Sequence, residues 1–187
     1  MDKYILHKKK ALDRRTCEHL INIFEKSSPD WNDRDYWGVY PLLTDISFSF
    51  LKPILRKYMD EYGKKHPFMG MRFNMWKIDD LFHIQKYEKG HFYDSHRNPV
   101  EFLGHMENGW SEIDCRRVLG WMVYLNDIKK DGGTCWPQQK FTSKPRAGDL
   151  YIWPSGWTHS HFGIPAPNEE KYILTGWCSW NMETCTH

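Results

Sequence analysis

The chain has 187 residues, of which 40% are hydrophobic, and it contains ten each of Trp, Tyr and Phe. This length and composition exclude a disordered chain and fit a single domain spanning residues 1–187. The net charge of +2 gives no general argument for a nucleic acid or an anionic membrane as a partner.

The first third of the chain is predicted to be helical. Apolar residues recur at three- and four-residue spacing between Leu12 and Phe24, and Pro29 follows the end of this pattern. A second apolar stripe runs through Ser47–Lys64, which ends beside a glycine. Residues 1–69 are therefore expected to be mostly helical support.

From about residue 70 the pattern changes to short segments rich in β-branched and aromatic residues, with turn residues between them. The predicted strands are Met71–Lys77, Phe82–Tyr87, Val118–Leu125, Gly148–Trp153 and Tyr172–Trp180. The polar segment Pro99–Arg117 is predicted to be a long loop beside the functional site. Helices followed by strands indicate helices packed on an antiparallel sheet or barrel, with its core in residues 70–182.

The five cysteines are odd in number and widely spaced, and no two of them form a CxxC pair. This pattern argues against a disulfide framework or a zinc knuckle. The N-terminus lacks the apolar segment of a signal peptide, and no window approaches the length of a membrane span. We therefore expect a cytoplasmic protein with reduced thiols and no membrane association.

Two pairs of side chains have a spacing that suits metal ligands. His96 and Asn98 are two residues apart, as are His159 and His161, and residues so spaced on a strand project from one face. Two His and one carboxylate, with open coordination positions, is the arrangement of non-haem iron oxygenases. Lys171 is a candidate partner for the carboxylate of an anionic cosubstrate. Because a lone His or Lys is more often an ordinary polar residue, spacing alone leaves both interpretations open.

Longer motifs add to these pairs. The segment Tyr87–Asn98 reads YEKGHFYDSHRN and follows the pattern Y-x-x-G-x-x-Y-x-x-H-x-D up to His96, with Asn98 where the pattern has Asp. Four further motifs follow in order: YLN at Tyr124–Asn126, GGTCWP at Gly132–Pro137, KPRAG at Lys144–Gly148, and His161, Pro165 and Lys171 at the distal end. In their order and spacing these motifs resemble the prolyl 4-hydroxylase-like branch of the iron(II)/2-oxoglutarate-dependent oxygenases. The register of the distal motif selects His161 over His159 as the ligand.

The resemblance implies a mainly β fold, a double-stranded β-helix or jelly roll with supporting N-terminal helices. It implies that Fe(II) is held by His96, Asn98 and His161, and that 2-oxoglutarate binds the iron while its far carboxylate meets Lys171. Tyr87 and Thr134 are expected to help hold that carboxylate. The implied reaction consumes dioxygen, releases succinate and carbon dioxide, and hydroxylates a C–H bond.

Asn98 leaves several interpretations open, because an amide offers iron only a neutral oxygen and Fe(II) affinity should fall. We favour an active site in which Asn98 or a water is the third ligand, as in the aspartyl/asparaginyl hydroxylases, which resemble this case in using two His without a carboxylate. The alternatives are a binding module without turnover, a halogenase-like site, and an acidic ligand supplied by Asp94 or Glu101. A further alternative is that Asn98 is a replacement of an original Asp at this position.

The substrate is less defined by the sequence than the metal site. A prolyl residue in an extended peptide, a free amino acid or another small molecule all fit a chain of this size. The near-neutral charge argues against a nucleic-acid substrate. A cupin-like protein that holds another divalent metal is the competing non-oxygenase interpretation.

Overall fold

The structure is a computed structural model that describes residues 2–26, 39–43, 50–66, 76–90 and 116–181. Its helices are α1 (Arg14–Lys26) and α2 (Leu51–Lys65), and a 3-10 turn covers Trp157–His159. Its strands are β1 (Leu6–Lys8), β2 (Val39–Leu43), β3 (Trp76–Ile78), β4 (Leu81–Tyr87), β5 (Arg117–Tyr124), β6 (Thr134–Trp136), β7 (Phe141–Thr142), β8 (Leu150–Pro154), β9 (Phe162–Gly163) and β10 (Lys171–Trp180).

The strands form two antiparallel sheets. In the large sheet the order is β1-β8-β5-β10-β4-β2, and β3 pairs with the far end of β10. The small sheet has the order β7-β6-β9. Neighbours in the large sheet are far apart in sequence, so the chain crosses between the two sheets repeatedly, as in a jelly roll.

The outer face of the large sheet packs on the two helices. Trp121, Leu174 and Ile152 project from three neighbouring strands and share one apolar cluster with Leu20 of α1 and Leu55 of α2. Alternation along the strands sends every second residue to this face. Burial of these side chains is what fixes the register of the sheet.

The inner face of the large sheet meets the small sheet through aromatic side chains. Tyr124, Tyr151 and Ile173 belong to a second apolar cluster together with Trp136 of β6. The ring of Trp136 lies 5.3 Å from that of Trp153 and meets it nearly edge to face, at 70°. Edge-to-face packing of this kind stabilises the contact beyond area burial and closes one side of the space between the sheets.

The N-terminal strand β1 is attached to the large sheet by a buried carboxylate. Asp149 accepts hydrogen bonds from Nε2 of His7 at 2.7 Å and from the backbone N–H of Lys10 at 3.0 Å. The His7 ring also stacks on Tyr151, with 4.4 Å between the centroids. Residues 2–10 are thereby joined to β8, which carries inner-face residues of the core.

Replacing Asp149 by Ala should therefore lower the free energy of unfolding by about 2–4 kcal/mol, because two hydrogen bonds to a buried, charged carboxylate are lost. Asp60, which makes an exposed pair with Arg56 at 2.9 Å, is the matched control, and Asp60→Ala should cost less than about 1 kcal/mol. Urea denaturation at neutral pH measures both values. Equal losses in the two variants would show that Asp149 does not fasten β1.

The structure confirms the mainly β fold with helices on its outer face. It also adds strands that the sequence analysis did not predict: β1 and β2 within residues 1–69, and the short β6, β7 and β9. The division of the domain at residue 69 stays a prediction. The predicted helix start at Ser47, the first part of strand Met71–Lys77 and nearly all of the loop Pro99–Arg117 lie outside the described residues. None of the helices in the described ranges is long and apolar enough to cross a membrane.

Candidate functional site

Lys171 is a buried cation at the start of β10. The residue is 3% exposed, and burial lowers the pKa of its ammonium group to about 8. Its Nζ lies 4.3 Å from the centroid of the Tyr87 ring and 3.4 Å from the carbonyl oxygen of Ile164. Within the described part of the chain no carboxylate pairs with it. A buried ammonium without an anion costs free energy, so this position suits a bound carboxylate.

Tyr87 lies directly across from Lys171, because the last residue of β4 is paired with the first residue of β10. Its hydroxyl donates a hydrogen bond of 2.6 Å to Oε1 of Gln85, two residues earlier on the same face. A half-turn of the Gln85 amide would present its NH₂ to Tyr87, and the tyrosine proton could then be donated to a carboxylate. The structure therefore brings these two predicted cosubstrate residues together.

Gly163 of β9 approaches Lys171 from the small sheet. A Cβ built at this position would lie 3.4 Å from Nζ of Lys171. Gly163 is also paired with Thr134 of β6, so Thr134 occupies the next position along the small sheet. Because Gly163 has no side chain, space is left in front of the Lys171 ammonium group. No motif in the sequence indicated a role for this glycine.

The Thr134 side chain is engaged in a buried hydroxyl network. Its Oγ1 lies 3.0 Å from the hydroxyl of Tyr124, which lies 2.6 Å from Oγ of Ser143. Burial raises the pKa of Tyr124 to about 12, so this hydroxyl stays protonated. Thr134 is paired with Gly163, the residue whose Cβ position lies 3.4 Å from Nζ of Lys171, and a role of Thr134 in holding a carboxylate stays a prediction. Tyr124 was present in the YLN motif, which gave no hint of this network.

His161 precedes β9 and packs between two tryptophans. The centroid of its ring lies 4.9 Å from that of Trp153 and 5.7 Å from that of Trp136. Its Nδ1 lies 3.1 Å from the carbonyl oxygen of His159. Since a carbonyl only accepts, Nδ1 carries a proton, and in the neutral imidazole Nε2 is then the nitrogen that can bind a metal, which is the usual tautomer of a metal-ligating His.

The expectation that His159 and His161 share one face of a strand is wrong. His159 ends a 3-10 turn, and only the residues after it enter β9. The His159 side chain is buried toward the N-terminus, with Nε2 3.6 Å from Oδ1 of Asp2 and its ring edge-on to Tyr4. The two imidazoles therefore have different surroundings, in agreement with the choice of His161 as the candidate ligand.

The other candidate ligands, His96 and Asn98, and the acidic alternatives Asp94 and Glu101 lie outside the described residues. In the ranges that the structure does describe, no three His, Cys, Asp or Glu residues cluster as a metal site. The residues that are described fit iron with a dicarboxylate: His161 offers an imidazole nitrogen in the correct tautomer, and Lys171 offers a buried cation without a counter-anion.

The space in front of Lys171 can be tested at Gly163. Gly163→Ala should raise the dissociation constant of a dicarboxylate several-fold, because the new methyl group would cover part of the ammonium, while the fold tolerates a 3.4 Å contact. Gly156→Ala is the matched control, since a Cβ there meets nothing within 4 Å. Calorimetric titration with 2-oxoglutarate measures both constants. Unchanged binding in Gly163→Ala would place the carboxylate elsewhere.

Comparison with known families and proteins accords with this geometry. The profile of the 2OG-Fe(II) oxygenase superfamily matches residues 82–179, just over half of the chain. The Arabidopsis thaliana protein named probable prolyl 4-hydroxylase 9 is 27% identical over 123 residues, which are 52% of this chain and 40% of that protein. The chain thus spans less than half the length of this curated relative.

Solved structures share the fold. A viral collagen prolyl hydroxylase from Paramecium bursaria Chlorella virus-1, in complex with 2OG, superposes with a TM-score of 0.68 at 17% identity, over 94% of this chain and 95% of that one. A Pseudomonas putida prolyl-4-hydroxylase superposes with a TM-score of 0.65 at 19% identity, over 95% and 93% of the two chains. At these identities the likeness establishes the jelly-roll fold.

Proposed function

Because the chain belongs to the 2OG-Fe(II) oxygenase superfamily, we propose that it is a dioxygenase that hydroxylates a C–H bond, with a prolyl residue in a peptide as the substrate. Fe(II), 2-oxoglutarate and dioxygen are the cofactor and cosubstrates of this family. The prolyl assignment is supported by the names of the three similar proteins given above, each of which contains the words prolyl hydroxylase or prolyl 4-hydroxylase. The observation that carries the proposal is the buried Lys171, which has no carboxylate partner in the described chain.

In this proposal the metal is held by Nε2 of His161 together with His96 and Asn98. When bound, Fe(II) with 2-oxoglutarate and dioxygen supplies the oxidation of the C–H bond, with succinate and carbon dioxide as products.

The rest of the described site binds and shields. Lys171, protonated at neutral pH, neutralises the far carboxylate of the cosubstrate. Tyr87 beside it donates a hydrogen bond to the same carboxylate once the Gln85 amide has turned its NH₂ toward the tyrosine hydroxyl. The rings of Trp136 and Trp153 pack on His161 and keep water from that side of the imidazole. The Tyr124 hydroxyl, kept neutral by burial, orients Thr134.

The alternative is a module on the same fold that binds metal and 2-oxoglutarate without turnover. The observation that favours it is Asn98, a neutral residue where the resembling motif has a carboxylate. Anaerobic addition of Fe(II) and 2-oxoglutarate should give a weak visible charge-transfer band in both cases, because the band requires chelation of the metal. Turnover under air separates the two.

The deciding experiment is aerobic incubation with Fe(II) and 2-oxoglutarate, with and without proline-containing peptides, followed by assay of succinate. We expect metal-dependent succinate that rises when a peptide substrate is present, and loss of both succinate and the visible band in His161→Ala. If the band forms but succinate does not, the module without turnover is correct. If neither appears, the oxygenase proposal fails.

The compartment and the partners belong to this proposal as well. Cys17, Cys135 and Cys178 are free thiols in the structure, which supports a reducing, cytoplasmic setting. We propose a peptide or a small molecule as the binding partner, and we do not propose a nucleic acid.

A further inference from the structure

Trp157 is the most exposed large hydrophobic side chain in the described part of the chain. It is 69% exposed, whereas Tyr4, Phe50 and Trp180 are between 37% and 40% exposed. A scattered exposed apolar residue needs no explanation by itself, so its surroundings decide the interpretation. Three features of those surroundings point to a ligand: a fixed backbone, a position four residues before the candidate metal ligand His161, and an exposed amide bonded to the same turn.

The backbone that carries Trp157 is held at several points. Its carbonyl oxygen accepts from Oγ of Ser160 at 3.1 Å and from Nε2 of Gln138 at 3.5 Å. The next carbonyl, that of Thr158, accepts from Nε2 of Gln139 at 2.7 Å. These amides tie the 3-10 turn to the connection between β6 and β7. The exposed indole is therefore presented on a preorganised turn, which lowers the entropic cost of binding a partner.

Trp157 is also close to the candidate metal ligand along the chain. Trp157 precedes His161 by four residues, so their Cα atoms are at most about 14 Å apart. An extended polyproline II peptide rises about 3.1 Å per residue. A peptide whose reacting residue lies at His161 therefore reaches Trp157 with a residue no more than about five positions away.

We propose that Trp157 is the docking residue for a peptide substrate, and that a proline flanking the reacting residue stacks on its indole ring. The inference rests on the proposed function and adds to it the part of the substrate that is recognised. A pyrrolidine ring presents a flat apolar face on a backbone that is already stiff, which is how aromatic side chains recognise polyproline II segments. Gln138 is exposed and donates a long hydrogen bond, 3.5 Å, to the backbone carbonyl of Trp157, so its amide is available to a peptide carbonyl. A free amino acid is too short to use either group.

The test compares Trp157→Ala with Trp180→Ala, an exposed tryptophan at the end of β10 that is 37% exposed. The probes are a fluorescein-labelled ten-residue polyproline peptide and a Gly-Ser peptide of equal length. Fluorescence anisotropy is recorded without oxygen in the presence of Fe(II) and 2-oxoglutarate. We expect Trp157→Ala to weaken polyproline binding about tenfold and Trp180→Ala to leave it unchanged. Trp157→Phe should restore most of the affinity, because it keeps an aromatic face.

Kinetics separate docking from a general structural effect. In Trp157→Ala the KM for the peptide should rise about tenfold, with kcat and the dissociation constant of 2-oxoglutarate unchanged. Polyproline affinity that is equal in Trp157→Ala and the unmodified chain, or equal affinity of the unmodified chain for both probes, would overturn the docking inference alone. Absence of metal-dependent succinate from the unmodified chain would instead overturn the proposed function, and the binding comparison would still decide the role of Trp157.

Discussion

Lys171→Met is expected to weaken 2-oxoglutarate binding strongly while making the ligand-free protein more stable. The dissociation constant should rise about 100-fold or more, because the far carboxylate would be buried without its cation. The ligand-free chain should gain roughly 1–3 kcal/mol at neutral pH, since the substitution removes an ammonium group whose pKa burial has lowered to about 8. Calorimetry with 2-oxoglutarate and urea denaturation without it measure the two effects.

Lys86→Met is the matched control, because Lys86 has carboxylate partners. Its Nζ lies 2.9 Å from Glu25 and 3.5 Å from Glu170. Removal of this lysine should lower stability and leave 2-oxoglutarate binding intact, the opposite of the result at Lys171. If Lys171→Met lowers stability and retains 2-oxoglutarate, the ammonium has another function.

The same cause predicts how both effects depend on pH. Burial lowers the pKa of Lys171 to about 8 in the folded chain, whereas in the unfolded chain the pKa is near the ordinary lysine value of 10.5, so the unfolded chain binds more protons between these values. The stability gained by Lys171→Met is therefore complete below pH 8 and disappears as the pH rises toward 10.5.

In the unmodified chain, 2-oxoglutarate binding above pH 8 must be accompanied by proton uptake at Lys171. Its affinity should fall by up to about tenfold per pH unit there. Calorimetry in two buffers of different ionisation enthalpy detects the proton, and pH-independent affinity between pH 7 and 9.5 would contradict the assignment.

Asn98→Asp is expected to tighten Fe(II) binding by roughly tenfold or more and to raise turnover. The substitution supplies a negatively charged oxygen where the amide offers a neutral one, and metal affinity follows the charge of the ligand set. Anaerobic titration with Mn(II), followed by water proton relaxation, measures the affinity apart from catalysis. Succinate formation then reports whether tighter binding brings faster turnover.

The acidic neighbours provide the controls for this substitution. Asp94→Asn and Glu101→Gln should leave metal affinity unchanged if position 98 is the third ligand. If Asn98→Asp has no effect on Mn(II) affinity and one of these two variants weakens it, that neighbour is the ligand and Asn98 is outside the coordination sphere.

The longer helices and strands could be predicted because each is long enough for its spacing of apolar residues to repeat several times. Helix α1 shows three- and four-residue spacing over several turns, and Cys17, Leu20 and Phe24 are buried as that spacing requires. Strands β5 and β10 run for eight and ten residues. Strands β6, β7 and β9 have only two or three residues each, too few to show a period, so the small sheet was not predicted.

The N-terminal strands were missed for a different reason. β1 is a strand because Leu6 and its neighbours pair with β8, more than 140 residues later, and Asp149 holds them there. Judged by local composition alone, the polar segment around β1 looks like a solvent-exposed end of the chain. Pairing across such a separation depends on the packed core and not on local propensity.

The order of motifs along the chain was enough to predict a mainly β oxygenase fold with helical support, a resemblance to its family, and a short set of candidate site residues. Motif order carries this information because metal and cosubstrate require particular side chains at particular points of the fold. The packing of residues distant in sequence was needed to show that Lys171 is buried opposite Tyr87 without an acidic partner in the described chain. It was also needed to show that Gly163 leaves space before Lys171 and that His159 points to Asp2. The physical reason is that burial and the absence of a counter-charge are properties of packed neighbours that are distant in sequence.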